Sequence, residues 1–102
     1  MINIVIIEDE LPARKKLRRF IEATGSTHRI VAEIASIKEG LDFFATNEVD
    51  LIFSDIELLD GSAFQIYQKI ALKCPIIFTT AYDQFWMEAF DGNGIAYLLK
   101  PY

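Results

Sequence analysis

Short β-branched runs alternate along the chain with segments whose apolar residues recur at helical spacing. Ile2 to Ile7 (INIVII) has the β-branched density of a buried strand. Ala13 to Thr24 follows, with Leu17, Phe20 and Ile21 at helical spacing and Pro12 in the first turn, where a missing N–H is harmless. Arg29 to Ile34 predicts a second, weaker strand. Ser36-Ile37-Lys38-Glu39 is a capping box, in which a hydroxyl and a carboxylate satisfy each other's orphan amides. It opens a helix carrying Ile37, Leu41, Phe44 and Ala45 on one side. Asp50 to Ser54 predicts the third strand. Ser62-Ala63-Phe64-Gln65 offers a second capping box, opening a helix with Ile66 and Ile70 inward and ending near Cys74-Pro75. Pro75 to Thr79 predicts the fourth strand, Gln84 to Asp91 a short aromatic helix, and Ile95 to Leu99 the fifth strand. Asp60-Gly61 and Gly92-Asn93-Gly94 supply turns between elements.

Strands alternating with helices imply an α/β fold: a doubly wound, five-stranded parallel sheet with right-handed crossovers and helices on both faces. At 102 residues the chain is one domain, long enough to bury roughly two-thirds of its unfolded surface. The composition, 52% hydrophobic and 25% charged, excludes a disordered chain. A net charge of -5 argues against nucleic-acid binding by this domain itself, because that affinity comes mostly from neutralising phosphates. The single cysteine, Cys74, forms no internal disulfide, and no apolar run approaches the ~18 residues of a membrane span. The expectation is a cytoplasmic domain with no membrane association.

In doubly wound sheets, ligands bind at the carboxyl ends of the strands, where strand order reverses. Those ends carry Glu8-Asp9-Glu10 on the first strand, Asp55 on the third, Thr79-Thr80 on the fourth and Lys100 on the fifth. Two carboxylates ~4 Å apart repel by about 4 kcal/mol at an effective dielectric of about 20. Glu8, Asp9 and Asp55 therefore need shared protons, Lys100 or a further cation, and one lysine cannot balance three carboxylates. A hard divalent cation such as Mg²⁺ suits the oxygen ligands. For Glu10 the simpler reading is a cap on the helix that follows.

These residues resemble the receiver domain of bacterial two-component response regulators, over residues 1–102. The resemblance rests on Val5-Ile6-Ile7-Glu8-Asp9-Glu10, Asp50 to Leu58 (DLIFSDIEL), Asp60-Gly61, Thr79-Thr80-Ala81 and Tyr97-Leu98-Leu99-Lys100-Pro101. It implies a flavodoxin-like fold with strand order 2-1-3-4-5. Asp55 would be the phosphoacceptor. Asp9 and Asp55 would ligate Mg²⁺ directly, with Glu8 in its outer shell and the main-chain carbonyl of Glu57 completing the protein ligands. Thr80 would be the switch hydroxyl, Tyr97 the switch aromatic and Lys100 the phosphoryl-binding ammonium. The Lys100–Pro101 peptide would be cis. Leu59 stands where the family often has Pro, and Ala63 where Gly is common, so the loop after Asp55 is expected to differ in shape.

The implied partner is a sensor histidine kinase. Thr79-Thr80-Ala81-Tyr82-Asp83 and Leu98-Leu99-Lys100-Pro101 further resemble the subgroup whose receivers precede a LytTR-type DNA-binding domain. Such a receiver has a fifth helix after Pro101, so the chain is expected to stop short of it and of a DNA-binding effector domain. Exposed sheet would then favour a homodimer or leave an apolar groove. Two other functions compete. An aspartate-nucleophile phosphohydrolase would place a second acid two residues after the nucleophile. Glu57 is there, but such enzymes use Asp and carry a cap domain. A binding module that never takes phosphate would have a broken acidic site.

Arg14-Lys15-Lys16 and Arg18-Arg19 form a cationic strip on the first helix, a solvated face or a docking surface for the phosphoryl donor. Phe85, Trp86, Met87 and Phe90 crowd one short helix too densely for a single buried stripe and favour a partner surface. His28 reads as surface and Cys74 as a buried, unreactive thiol.

Overall fold

The computed structural model describes residues 1–80 and 94–99, with Thr80 and the last segment as backbone only. The elements in chain order are β1 (Ile2–Ile7), α1 (Leu11–Ala23), β2 (His28–Ile34), α2 (Ile37–Phe44), β3 (Leu51–Asp55), β4 (Glu57–Leu58), β5 (Gly61–Ser62), α3 (Phe64–Lys69), β6 (Ile76–Thr80) and β7 (Gly94–Leu99). Five strands form one parallel sheet in the order β2-β1-β3-β6-β7, the expected topology. β4 and β5 form a separate two-residue hairpin.

β1 is buried from Ile4 to Ile7 because both sheet faces are covered there, as a parallel sheet requires, while Ile2 at its start is exposed. Val5 and Ile7 join Ile52, Ile76 and Phe78 in a core shared with Ile37, Phe44 and Ile66 of α2 and α3. Ile4, Ile6 and Phe53 point the other way, onto Leu17 and Ile21 of α1. Phe20 lies off that stripe and is 45% exposed, so the apolar seam of α1 is narrower than its sequence spacing suggests.

Half of the first capping box forms at the start of α2: the Glu39 amide donates to Ser36 Oγ at 3.1 Å, while the Glu39 carboxylate accepts from the Ser36 hydroxyl at 3.4 Å and not from its amide. The second capping box does not form. Ser62 is held in the hairpin opposite Glu57, so the helix starts one residue later, with Ala63 at its N-cap. The Ser62 hydroxyl instead accepts from the Phe64 amide at 3.2 Å. α3 also ends early, at Lys69. Ile70 turns extended (φ -120°, ψ 122°), and Ile70, Leu72 and Cys74 pack their side chains against the core.

Candidate functional site

Strand order reverses between β2-β1 and β3-β6, so the crevice at the carboxyl ends of β1 and β3 is the switch point of the sheet. The β1–β3 register pairs Ile7 with Ser54, and β3–β6 pairs Asp55 with Thr79. Side chains alternate along a strand. With Ile6, Phe53 and Ile77 packed on the α1 side, the same alternation places Glu8, Asp55 and Thr79 in one row on that side.

Glu8 continues the sheet past the end of β1, its amide donating to the Ile34 carbonyl at 2.8 Å. Its side chain is fully buried, and its Oε2 accepts from the Glu10 amide at 3.3 Å. Glu10 occupies the N-cap position of α1 but makes no side-chain capping bond, so the simple helix-cap reading of that residue does not hold. Asp55 is 8% exposed, and its Oδ1 accepts from the Ile56 amide at 2.7 Å, which fixes the carboxylate's orientation.

Carboxylate oxygens of Glu8, Asp9 and Asp55 all lie within 4.8 Å of one another. Opposite ligands of one Mg²⁺ stand ~4.2 Å apart, from bonds of ~2.1 Å, so the cluster is on the right scale. The donors are all hard oxygens, and ionised together they repel. The residues present therefore fit a small divalent cation.

The hairpin bears on the third expected ligand, the main-chain carbonyl of Glu57. Ala63 N donates to Ile56 O at 2.6 Å, making Ile56–Ala63 a hydrogen-bonded pair. Antiparallel pairs alternate, so Glu57–Ser62 is the non-hydrogen-bonded pair and the Glu57 carbonyl turns away from its hairpin partner. The Glu57 side chain is exposed, unlike the Glu8 and Asp55 carboxylates.

Two residues have contacts that sequence reasoning did not foresee. Thr79 Oγ1 is fully buried, beside Asp55, and has no hydrogen-bond partner among the described residues. Only the strand register could reveal it. Asp60 reads in sequence as half of a turn, yet its Oδ1 accepts from the Ile37 amide at 2.7 Å and its Oδ2 from the Lys38 amide at 3.2 Å. Those amides hold its carboxyl below the ordinary 3.8. Of the cationic strip, Arg18 pairs with Glu33 of β2 at 3.3 Å. Burial pushes the Cys74 thiol up, away from reactivity. The side chains of Thr80 and Tyr97, Lys100 with the Lys100–Pro101 peptide, and the aromatic segment Gln84 to Asp91 lie outside the described residues.

Comparison with known proteins adds three findings. The family model for the response regulator receiver domain matches residues 4–102. The chain is 32% identical over its whole length to the sensory transduction protein LytT of Bacillus anthracis, covering 42% of that protein. It is 38% identical, over 96% of its length, to the transcriptional regulatory protein LytR of Staphylococcus aureus, covering 41% of it. The chain thus spans about two-fifths of the curated relatives it matches. Among solved structures, the response regulatory domain of mrkE from Klebsiella pneumoniae matches with a TM-score of 0.84 and 37% identity, covering 98% of this chain and 84% of that one. A two-component response regulator from Clostridium difficile matches with a TM-score of 0.81 and 30% identity, covering 100% of this chain and 85% of that one.

Proposed function

This chain belongs to the response regulator receiver domain family, with LytT and LytR among its relatives, and from that premise we propose that it is a phosphorylation-driven switch whose phosphoacceptor is Asp55. The observation that carries the reading is the meeting of Glu8, Asp9 and Asp55 at the switch point of the sheet.

Phosphoryl transfer asks a protein mainly for positioning and charge neutralisation. Asp55 is a carboxylate nucleophile already oriented by the Ile56 amide. One of its oxygens forms the new bond to phosphorus as the bond to the donor nitrogen of a sensor histidine kinase breaks. Asp9, Asp55 and the Glu57 carbonyl would hold Mg²⁺, with Glu8 in its outer shell. When bound, the ion offsets the charge of the phosphoryl oxygens and of the clustered carboxylates. Lys100 would take a share of the phosphoryl charge, and Thr80 would donate to a phosphoryl oxygen. Tyr97 would fill the space that the moving loop vacates, making a two-state element biased by a local charge event. The basic strip of α1 would receive the acidic or phosphorylated face of the donor.

In the whole protein we propose a DNA-binding effector as the regulated part. The S. aureus relative is a transcriptional regulator, and both curated relatives are more than twice as long as this chain. In this role the protein would work in the cytoplasm; among the described residues no helix is long and apolar enough to cross a membrane. The phosphohydrolase reading is not favoured, because the receiver family accounts for residues 4–102. A module that never takes phosphate is not favoured either, since the acidic cluster is intact.

Acetyl phosphate with Mg²⁺ should add one phosphoryl group to the chain, seen by intact mass, and none to Asp55→Asn. Equal labelling of the variant would remove Asp55 from the role.

A further inference from the structure

We propose that Asp60 is a positioning residue that ties the loop bearing the Glu57 carbonyl to the first turn of α2, so that Mg²⁺ binding and order at the start of α2 are coupled. The inference rests on the reading of that carbonyl as a metal ligand.

A helix leaves its first N–H groups without intrahelical partners. In α2 the local cap handles one of them, the Glu39 amide held by Ser36. The Ile37 and Lys38 amides are taken instead by Asp60, 23 and 22 residues away in sequence. Each of its oxygens accepts one bond, and a carboxylate at a helix N-terminus also meets the positive end of the macrodipole. The grip is therefore bidentate and charge-assisted.

The hairpin that carries Asp60 is stiff enough to transmit it. Only the two residues Leu59 and Asp60 join β4 to β5, and the Ala63–Ile56 bond closes the base. Ile56 and Ala63 are fully buried, and Leu58 is 7% exposed. Gly61 has a φ of 136°, and a Cβ there would meet Ile37 Cδ1 at 3.1 Å and Gln65 Nε2 at 2.9 Å. The hairpin thus packs on the residue whose amide Asp60 holds. Glu57 lies three residues before Asp60, on the first strand of this small unit, and Asp60 lies in its turn. A shift of its carbonyl toward a bound ion moves the hairpin, and the hairpin pulls on α2.

Coupling between sites is reciprocal. Mg²⁺ should therefore slow hydrogen exchange at the Ile37 and Lys38 amides of the wild-type chain. Asp60→Ala should bind Mg²⁺ about fivefold more weakly, at the low end of typical couplings. Ser36→Ala is the control. It weakens the start of the same helix but leaves the hairpin tied, so its Mg²⁺ affinity should stay within about twofold of wild type.

Calorimetric Mg²⁺ titration of the three proteins, with exchange followed by NMR, tests the idea. Undiminished affinity in Asp60→Ala, or an equal loss in Ser36→Ala, would overturn the strut and leave the metal site standing. Failure of the wild type to bind Mg²⁺ at all would overturn both. If Asp60→Ala does not fold, Asp60→Asn keeps one acceptor oxygen and should show a smaller loss. Wild-type affinity in that variant overturns the proposal.

Discussion

Replacing Asp9 with Asn should make the metal-free protein more stable while removing most of its response to Mg²⁺. Asp9 shares with Glu8 and Asp55 a cluster whose oxygens lie within 4.8 Å of one another. At that separation, and an effective dielectric of about 20, an ionised pair repels by about 3.5 kcal/mol. Asp9 is only partly buried, so solvent and salt leave on the order of 1 kcal/mol per pair. Its two neighbours together make the relief roughly 2 kcal/mol. For a domain of this size that is a rise in Tm of roughly 8 °C or more. Mg²⁺ at ten times its Kd stabilises the wild type by about 1.4 kcal/mol through mass action, and the variant should show little of this. Thermal unfolding in chelator and in Mg²⁺, for both proteins, gives the four numbers needed. If Asp9→Asn melts no higher than wild type in chelator and gains as much from Mg²⁺, neither the repulsion nor the ligand role stands.

Thr79→Val should stabilise the fold by about 1 kcal/mol, because it removes, at nearly constant shape, a buried hydroxyl that has no partner among the described residues. A lower urea midpoint for the variant would show that the hydroxyl is satisfied after all. Gly40→Ala should destabilise by roughly 1–2 kcal/mol despite alanine's better helix propensity, since its Cβ would lie 2.5 Å from Ile66 Cδ1 in the core between α2 and α3. Adding Ile66→Val should recover much of the loss, and an additive double variant would count against the clash. Asp60 has a carboxyl lowered below 3.8 by the Ile37 and Lys38 amides, so its stabilising effect is present above pH ~4 and fades as pH falls through the folded value. The stability gap between wild type and Asp60→Asn should accordingly shrink on acidification, and a gap that widens would reverse the assignment.

Much of this architecture is written in short-range pattern. The β-branched run from Ile2 to Ile7 and the apolar stretch before Asp55 specify strands because a parallel sheet buries both faces of its strands. The Ser36 cap acts over three residues, and the structure keeps it. The acidic site was legible for a related reason. Glu8 and Asp9 follow the end of β1 and Asp55 is the last residue of β3, and the doubly wound topology brings those ends to one rim.

What the tertiary structure alone decided depends on groups far apart in sequence. Ser62 has the spacing of a helix cap, but pairing with Glu57 in the hairpin claims it first, and α3 begins one residue later. Phe20 has helical spacing with Leu17, yet the contact between α1 and the sheet is narrow enough to leave it half outside. Asp60 looks like a turn residue until the hairpin carries it to the open amides of α2. Thr79 looks like its neighbour Thr80 until register sets its hydroxyl beside Asp55. Periodicity and capping are satisfied within a few residues, so the chain announces them locally. Register and long-range hydrogen bonds exist only once separate elements share a surface, and no window of sequence contains both partners.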